Sequence, residues 1–366
     1  MSPYHPDWKP PFCPNPNCPY HKGLHHHWPY KKIGFYTRRI PPKCIQRYFC
    51  LHCQRSFSRQ TFSPTYWLKR PDLLPHLLLA TVACSANRQI ARALHVSPPT
   101  IDRLLARLGR HCLLFHVQLW QQAPPHGPLA IDGFESFERS QYYPFEHQLA
   151  VETNTGFFSF FTDSELRRKG RMTAHQKRRR AELEQQFGRP APGTVRRDVT
   201  ELLQVTLAQT ASAVIYSDDH RAYPPALRQL HCRIQHEVTP GREHRDARNS
   251  LFEVNLLDDW IRHSSSNHKR QTIAPSKRRQ ASCEKLAILL VHRNYMRSRR
   301  EKVRDGPTPG MLKGLTDHQL QVEEVLEERL FPGRIPLPGR WPQYYRREIR
   351  TRALAVNRRH DLKYAY

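Results

Sequence analysis

The chain carries carboxylates in a pattern that suits metal-dependent phosphoryl chemistry. Asp132 lies in the apolar run "LAIDGFESF", Asp218 opens the pair in "VIYSDDHRAY", and Glu253 falls in "NSLFEVNLLDDWIRH". Side-by-side aspartates repel one another unless a cation sits close by. Carboxylate oxygens are the ligands Mg²⁺ takes, and Mn²⁺ accepts the same set. Two such ions a few ångströms apart stabilise the attacking and leaving oxygens of an in-line phosphoryl transfer. Glu135, Glu138 and Glu152 compete for the role by their place in the sequence, and Asp219 competes with Asp218 by register.

A second set of ligands is soft. Cys13 and Cys18 in "CPNPNC" and Cys50 and Cys53 in "CLHC" form two close pairs separated by 31 residues. That is the layout of a four-thiolate Zn²⁺ site, with two knuckles brought together by a small sheet. Such a ribbon buries little core, so the metal supplies its folding energy. The first pair is wider than the usual two-residue spacing, and Pro14 and Pro16 stiffen it. Cys44 and the run His25 to His27 are further potential ligands.

The carboxylates need a scaffold that makes them converge. "LAIDGFESF" reads as a strand ending near Asp132, and "HQLAVETNTGFFSFFTDS" as two strands joined at Asn154 to Gly156. Residues 198–210 have helical spacing, "SAVIYS" is a strand, "IQHEVTP" is a short strand, and the Glu253 segment is a helix. Three strands, helix, strand, helix, strand, helix is the order of a ribonuclease-H-like α/β fold, a mixed sheet with helices on its faces. In that layout the first and fourth strands are neighbours, so Asp132, Asp218 and Glu253 come from three elements to one place.

The rest of the chain reads as equipment for nucleic acid. A formal charge of +27 and a pI near 10.1 point to an anionic partner. "NRQIARALHVSPPTIDRLLARLGRH" places Ile90, Ala91, Leu94, Val96, Ile101 and Leu104 where a helix-turn-helix needs inward side chains. Ser97 would cap its second helix, Pro98 fits the first turn, and His95 stands where the turn often has glycine. The second helix would present Thr100, Arg103 and Arg107 to a major groove, beside Arg88 and Gln89 from the first. Residues 165–197 hold 11 Lys or Arg against 3 Glu, and Lys177, Arg178, Arg179 and Arg180 in that insert suit phosphate contact.

Boundaries follow: a ribbon over 1–65, an all-α helix-turn-helix domain over 66–123, a catalytic domain over 124–297 with the basic insert 165–197, and a basic, proline-rich tail over 298–366. In the tail, "LTDHQLQVEEVLEERLF" reads as one capped helix and the remainder as a strap for DNA or a second subunit. No apolar run reaches the ~18 residues of a membrane span, and the first residues lack the apolar core of a signal peptide. Nine cysteines in a chain expected in the cytosol suit metal rather than disulfides.

Taken with "AIDGFESF", "YSDDHRAYP", "NSLFEVNLLDDWIRH" and "SKRRQASCEKLAILLVHRNYM", the ribbon and helix-turn-helix make the chain resemble the DDE transposases of bacterial insertion sequences along nearly its whole length. The resemblance implies a DNA transposase, with Asp132, Asp218 and Glu253 catalytic and Mg²⁺ or Mn²⁺ between them. Glu253 follows Asp218 after 34 intervening residues, close to the superfamily's common spacing. It implies transposon ends and target DNA as partners, a homodimer or larger synaptic complex, and a place in the bacterial cytoplasm at the nucleoid. The family's frequent basic residue seven positions after the glutamate is Trp260 here, with Arg262 nearby. An inactive DNA-binding regulator of transposase descent and a structure-selective nuclease, such as a junction resolvase, are the other readings.

Overall fold

A computed structural model describes residues 8–23, 27–269, 271–354 and 356–357. His25 and His26 lie outside the described residues, and His27 is exposed. The first unit is a three-stranded antiparallel sheet of β1 (Tyr30–Thr37), β2 (Cys44–Cys50) and β3 (Ser56–Ser58). Its aromatic core of Trp8, Tyr48, Phe57 and Phe62 also takes in Phe331 from far along the chain.

Three helices follow: α1 (Leu73–Val82), α2 (Asn87–Ala93) and α3 (Pro98–Trp120). His95 holds φ 50 in the turn between α2 and α3, so a non-glycine residue occupies the left-handed position there. Ser97 stands at the N-cap of α3, but its hydroxyl pairs with the Thr100 hydroxyl at 2.9 Å and not with a backbone N–H of the first turn. Proline at the first helical position lessens that need, because it has no N–H to satisfy.

The α3 helix is longer than a recognition helix needs. Its second half buries Leu108, Cys112, Leu113 and Trp120 in the same apolar core as the main sheet. Gly109 permits this: a Cβ there would lie 2.7 Å from the backbone oxygen of Glu284 in α8 (Arg279–Val291). One core therefore runs from Leu73 to Tyr344.

The main sheet has the order β6-β5-β4-β7-β8, with β4 (Leu129–Phe137), β5 (Pro144–Glu152), β6 (Phe158–Glu165), β7 (Ser212–Ser217) and β8 (Arg233–Val238). The first three are antiparallel neighbours, and β7 and β8 join in parallel. β5 and β6 are buried along nearly their whole length, as strands covered on both faces must be. Between β6 and β8 lie α4 (Ala174–Phe187), α5 (Thr194–Thr206) and α6 (Tyr223–Leu227); α7 (Phe252–Ser264) follows β8. α5 covers one face, where Thr162 donates to the Asp198 carbonyl, while α7 packs on β4 and β5 and Ser282 of α8 bonds His147 of β5.

The tail differs from its sequence reading. Only Val322–Val325 is helical in the segment expected to be one long helix, because the chain there packs onto its own body. Phe331 enters the ribbon core, and Trp341 stacks on Phe160 at 4.6 Å. Among the described residues no helix is long and apolar enough to cross a membrane.

Candidate functional site

The sulfurs of Cys13, Cys18, Cys50 and Cys53 all lie within 4.8 Å of one another, the one such gathering of potential metal ligands among the described residues. Cys13 Sγ is 3.6 Å from Cys53 Sγ, and Cys18 Sγ is 4.0 Å from Cys50 Sγ. Sulfurs placed tetrahedrally ~2.3 Å from Zn²⁺ stand about 3.8 Å apart, so this set fits the ion. The Cys18 N–H donates to the Asn15 carbonyl and the Gln54 N–H to the Cys50 carbonyl, closing one knuckle on each side. Burial pushes the Cys13 and Cys18 thiols up. Burial acts on Cys50 too, but N–H donors from Cys53 and Trp28 hold it at about 7. Cys44 is exposed on β2, away from this cluster. The purified chain is expected to hold one zinc ion. Cys50→Ser should release it and melt the ribbon, seen by metal analysis and near-ultraviolet circular dichroism; zinc retained in that variant would place the site elsewhere.

The carboxylates are positioned by the parallel pairing of β4 and β7. Leu129 faces Ile215 and Ala130 faces Tyr216. Asp132 continues β4 two residues past this pairing, and Asp218 is the first residue after β7. Burial raises Asp132 to about 6, and the charge of Asp218 adds to the shift. The Gly133 N–H at 2.7 Å supports the Asp132 carboxylate. Asp218 is half-buried and accepts from the His220 N–H at 3.0 Å, whereas Asp219 is exposed.

Two further acids lie in reach. Burial pushes Asp258, on α7, well above its ordinary value, and the charge of Asp132 pushes it further. Its Oδ1 is buried with no hydrogen-bond partner. Glu146, on β5, is raised to about 7 by burial, with Glu135 and Asp132 adding to it. Its Oε2 fills the space over Gly133, where a Cβ would come within 2.8 Å. The buried Tyr223 phenol is pushed up by burial, and the charges of Asp132, Asp218, Glu146 and Asp258 push it further. Their carboxylate oxygens are the donor type that a hard divalent cation takes. They are spread more widely than the thiolates, beyond a mutual 4.8 Å.

Glu253 stands apart from this group. It occupies the first turn of α7, over the turn that joins β5 to β6. Its Oε1 pairs with Arg299 Nη2 at 2.5 Å, and Arg299 also donates to the Asn154 carbonyl. That turn follows Glu152, which faces Leu129, three residues before Asp132 and thus roughly 10 Å along the strand. Sequence reasoning passed over Asp258, although the helical period carries the signal. Val254, Leu257 and Ile261 are the buried stripe of α7, and Asp258 lies on that stripe one turn after Val254. Glu138 and Glu152 are structural: Arg279 holds the first and Lys313 the second. Glu135 is exposed. The Arg262 guanidinium lies 4.4 Å over the Phe134 ring and donates to the His268 carbonyl.

On the helix-turn-helix, Arg88 and Arg103 are exposed. Gln89 accepts from the Ala86 N–H at 2.9 Å, so its side chain caps α2. Thr100 bonds Ser97. Arg107 does not face outward. Its Nη1 donates to the Pro64 carbonyl at 2.8 Å, because α3 turns that side chain toward the ribbon, and burial lowers its pKa to about 10. On α4, none of whose residues is buried, Lys177 and Arg178 are exposed, Arg179 pairs with Glu182 and Arg180 with Glu184.

No family model matches the chain, and no curated protein matches it. Among solved structures, the chain is similar to one chain of a cryo-EM structure of the simian T-cell lymphotropic virus intasome in complex with the PP2A regulatory subunit B56 gamma. The likeness spans 65% of this chain and 71% of that one, at 14% identity and a TM-score of 0.25, too loose to define a shared fold.

Proposed function

We propose that the chain is a DNA transposase working by metal-dependent phosphoryl transfer on a ribonuclease-H-like sheet. What supports this reading is that β4 and β7 pair in parallel just before Asp132 and Asp218, that the charges of Asp218 and Asp258 both bear on the Asp132 region, and that Asp258 Oδ1 has no hydrogen-bond partner. In this reading Asp258, rather than Glu253, is the third carboxylate, and Glu146 is a fourth acid behind it. Mg²⁺ or Mn²⁺ bound there would supply positive charge to the oxygens exchanged at phosphorus. The chain's own residues do the positioning: the Gly133 N–H and the β4–β7 pairing fix Asp132, the His220 N–H fixes Asp218, and α7 carries Asp258. The ribbon and helix-turn-helix would hold double-stranded transposon ends, and two or more copies would bring both ends together over target DNA, in a bacterial nucleoid.

The test is strand transfer. DNA carrying the sequences that flank the gene is incubated with Mg²⁺ and a target plasmid. Wild type should cut the flanks and join the 3′ ends to the plasmid. Asp132→Asn should bind the same DNA and do neither. Binding without cleavage by wild type would leave a DNA-binding regulator, and cleavage indifferent to flank sequence would favour a structure-selective nuclease.

The exposure of Arg103 and the inward turn of Arg107 separate two variants. Arg103→Ala should weaken binding to the flanking sequence by about tenfold, the loss of one good base-edge contact. Arg107→Ala should lower thermal stability and leave site preference unchanged. A gel-shift titration and a melting curve on both variants check this. Equal loss of site preference in the two would contradict the orientation of α3.

A further inference from the structure

A cleft of ≈ 820 Å³ is walled by the start of α7, Tyr216 near the end of β7 and the segment 293–303. It uses a different face of α7. Glu253, Leu256 and Trp260 line it and lie at i, i+3 and i+7, while Asp258 points along the buried stripe. Five cations, Arg293, Arg297, Arg299, Arg300 and Lys302, face two carboxylates, Glu253 and Glu301. Arg299 pairs with Glu253 and Arg297 with Glu301, while Arg300 and Lys302 are exposed to solvent.

The cleft wall also holds an aromatic face and two unused polar atoms. The Trp260 ring lies parallel to His292, with centroids 6.0 Å apart and planes 9° apart, and Arg297 sits 5.8 Å from it. Trp260 Nε1 and Glu253 Oε2 are buried without hydrogen-bond partners. A flat ring beside free cations complements one chemical class: a nucleotide, with its base face and phosphate. A duplex cannot offer a base face, so the occupant is an unstacked nucleotide.

We propose that this cleft takes one unstacked nucleotide of the DNA strand held at the carboxylate centre, with its phosphate on Arg300 and Lys302 and its base on Trp260. This rests on the transposase reading for the strand's presence at that centre. Tyr216 lines the cleft two residues before Asp218, so the end of β7 links the two sites.

The test uses a ten-nucleotide oligothymidylate with one internal 2-aminopurine, titrated into the full chain carrying Asp132→Asn without added Mg²⁺, so that cleavage plays no part. Binding should quench the 2-aminopurine emission. Adding Trp260→Ala should remove most of the quench and weaken binding about tenfold, as expected for one lost base–aromatic stack. Trp260→Phe should keep both, which separates stacking from misfolding. Replacing the 2-aminopurine by an abasic site should weaken binding to the Trp260 protein only. Arg300→Ala with Lys302→Ala should weaken both strands equally and flatten the salt dependence. Unchanged quench and affinity in Trp260→Ala overturn the proposal. So does a chain that tells base-bearing from abasic strands equally well with and without Trp260. A Trp260-dependent quench in a protein whose wild type transfers no strand would sink the transposase reading and keep the cleft.

Discussion

Asp258→Asn is expected to stop strand cleavage, by about 10³-fold or more, with DNA binding close to wild type. Carboxylates that act as a unit fail together when one is neutralised. The helix face decides the size of the effect. Asp258 shares the buried stripe of α7 with Val254 and Ile261 and is acted on by Asp132, and its Oδ1 has no partner within the chain. Glu253 lies five residues earlier, roughly 7.5 Å along the helix and about 140° around it. Its charge is already matched by Arg299. Glu253→Gln should therefore cost tenfold at most, through a loosened 153–156 turn. Asparagine also removes a charge from a crowded site, so Asp258→Asn should melt no lower than wild type without divalent cation. A dead Glu253→Gln beside an active Asp258→Asn would return the third role to Glu253.

Arg279→Met should destabilise the chain by about 3–5 kcal/mol, the usual result of stranding a buried charge. Arg279 is 6% exposed at the start of α8 and lies 2.6 Å from Asp163 and 2.8 Å from Glu165, while its N–H donates to Glu138. Arg340 approaches Asp163 from the tail, and the Tyr344 hydroxyl donates to it at 2.5 Å. Burial alone would push Asp163 up, yet Arg279 and Arg340 hold it below its ordinary value. In wild type that contribution is present above the unfolded carboxylate value of ~3.9 and is lost as pH falls through the lower folded value. Without Arg279, Arg340 and the Tyr344 hydroxyl are left to oppose burial, and Asp163 should titrate above the unfolded value. The variant should then lose stability as pH rises from ~4 toward neutrality. Denaturant melts at pH 5 and pH 7.5 check both claims, and a variant equally stable at the two would refute the account of this network.

The sequence and the structure part company where long-range packing chooses between local equals. The Cys pairs, the strand around Asp132 and the Asp218 strand end were legible because knuckles, apolar runs and turns are local signals. Asp218 and Asp219 are local equals in the sequence, and only the fold leaves the first half-buried and the second exposed. The resemblance points to Glu253, at its spacing from Asp218, whereas the helical period of α7 puts Asp258 on the buried stripe. Arg107 reads as groove-facing from its spacing to Thr100 and Arg103 alone. In fact α3 runs to Trp120 and crosses α8 at Gly109, so its later side chains belong to the interior. The tail's proline-rich run gave no hint that Phe331 completes the ribbon core or that Arg340 closes the Asp163 network, since both partners lie far back in the chain.

The account turns on whether Asp132, Asp218 and Asp258 hold a divalent cation. Calorimetric titration of Mn²⁺ into the zinc-loaded full chain measures that without any knowledge of the DNA ends. Wild type should bind Mn²⁺, more tightly as the acids deprotonate above pH 7. Asp132→Asn, Asp218→Asn and Asp258→Asn should each lose that heat, and Glu253→Gln should keep it. Mn²⁺ binding unaltered in Asp132→Asn and Asp258→Asn alike would contradict the centre proposed here.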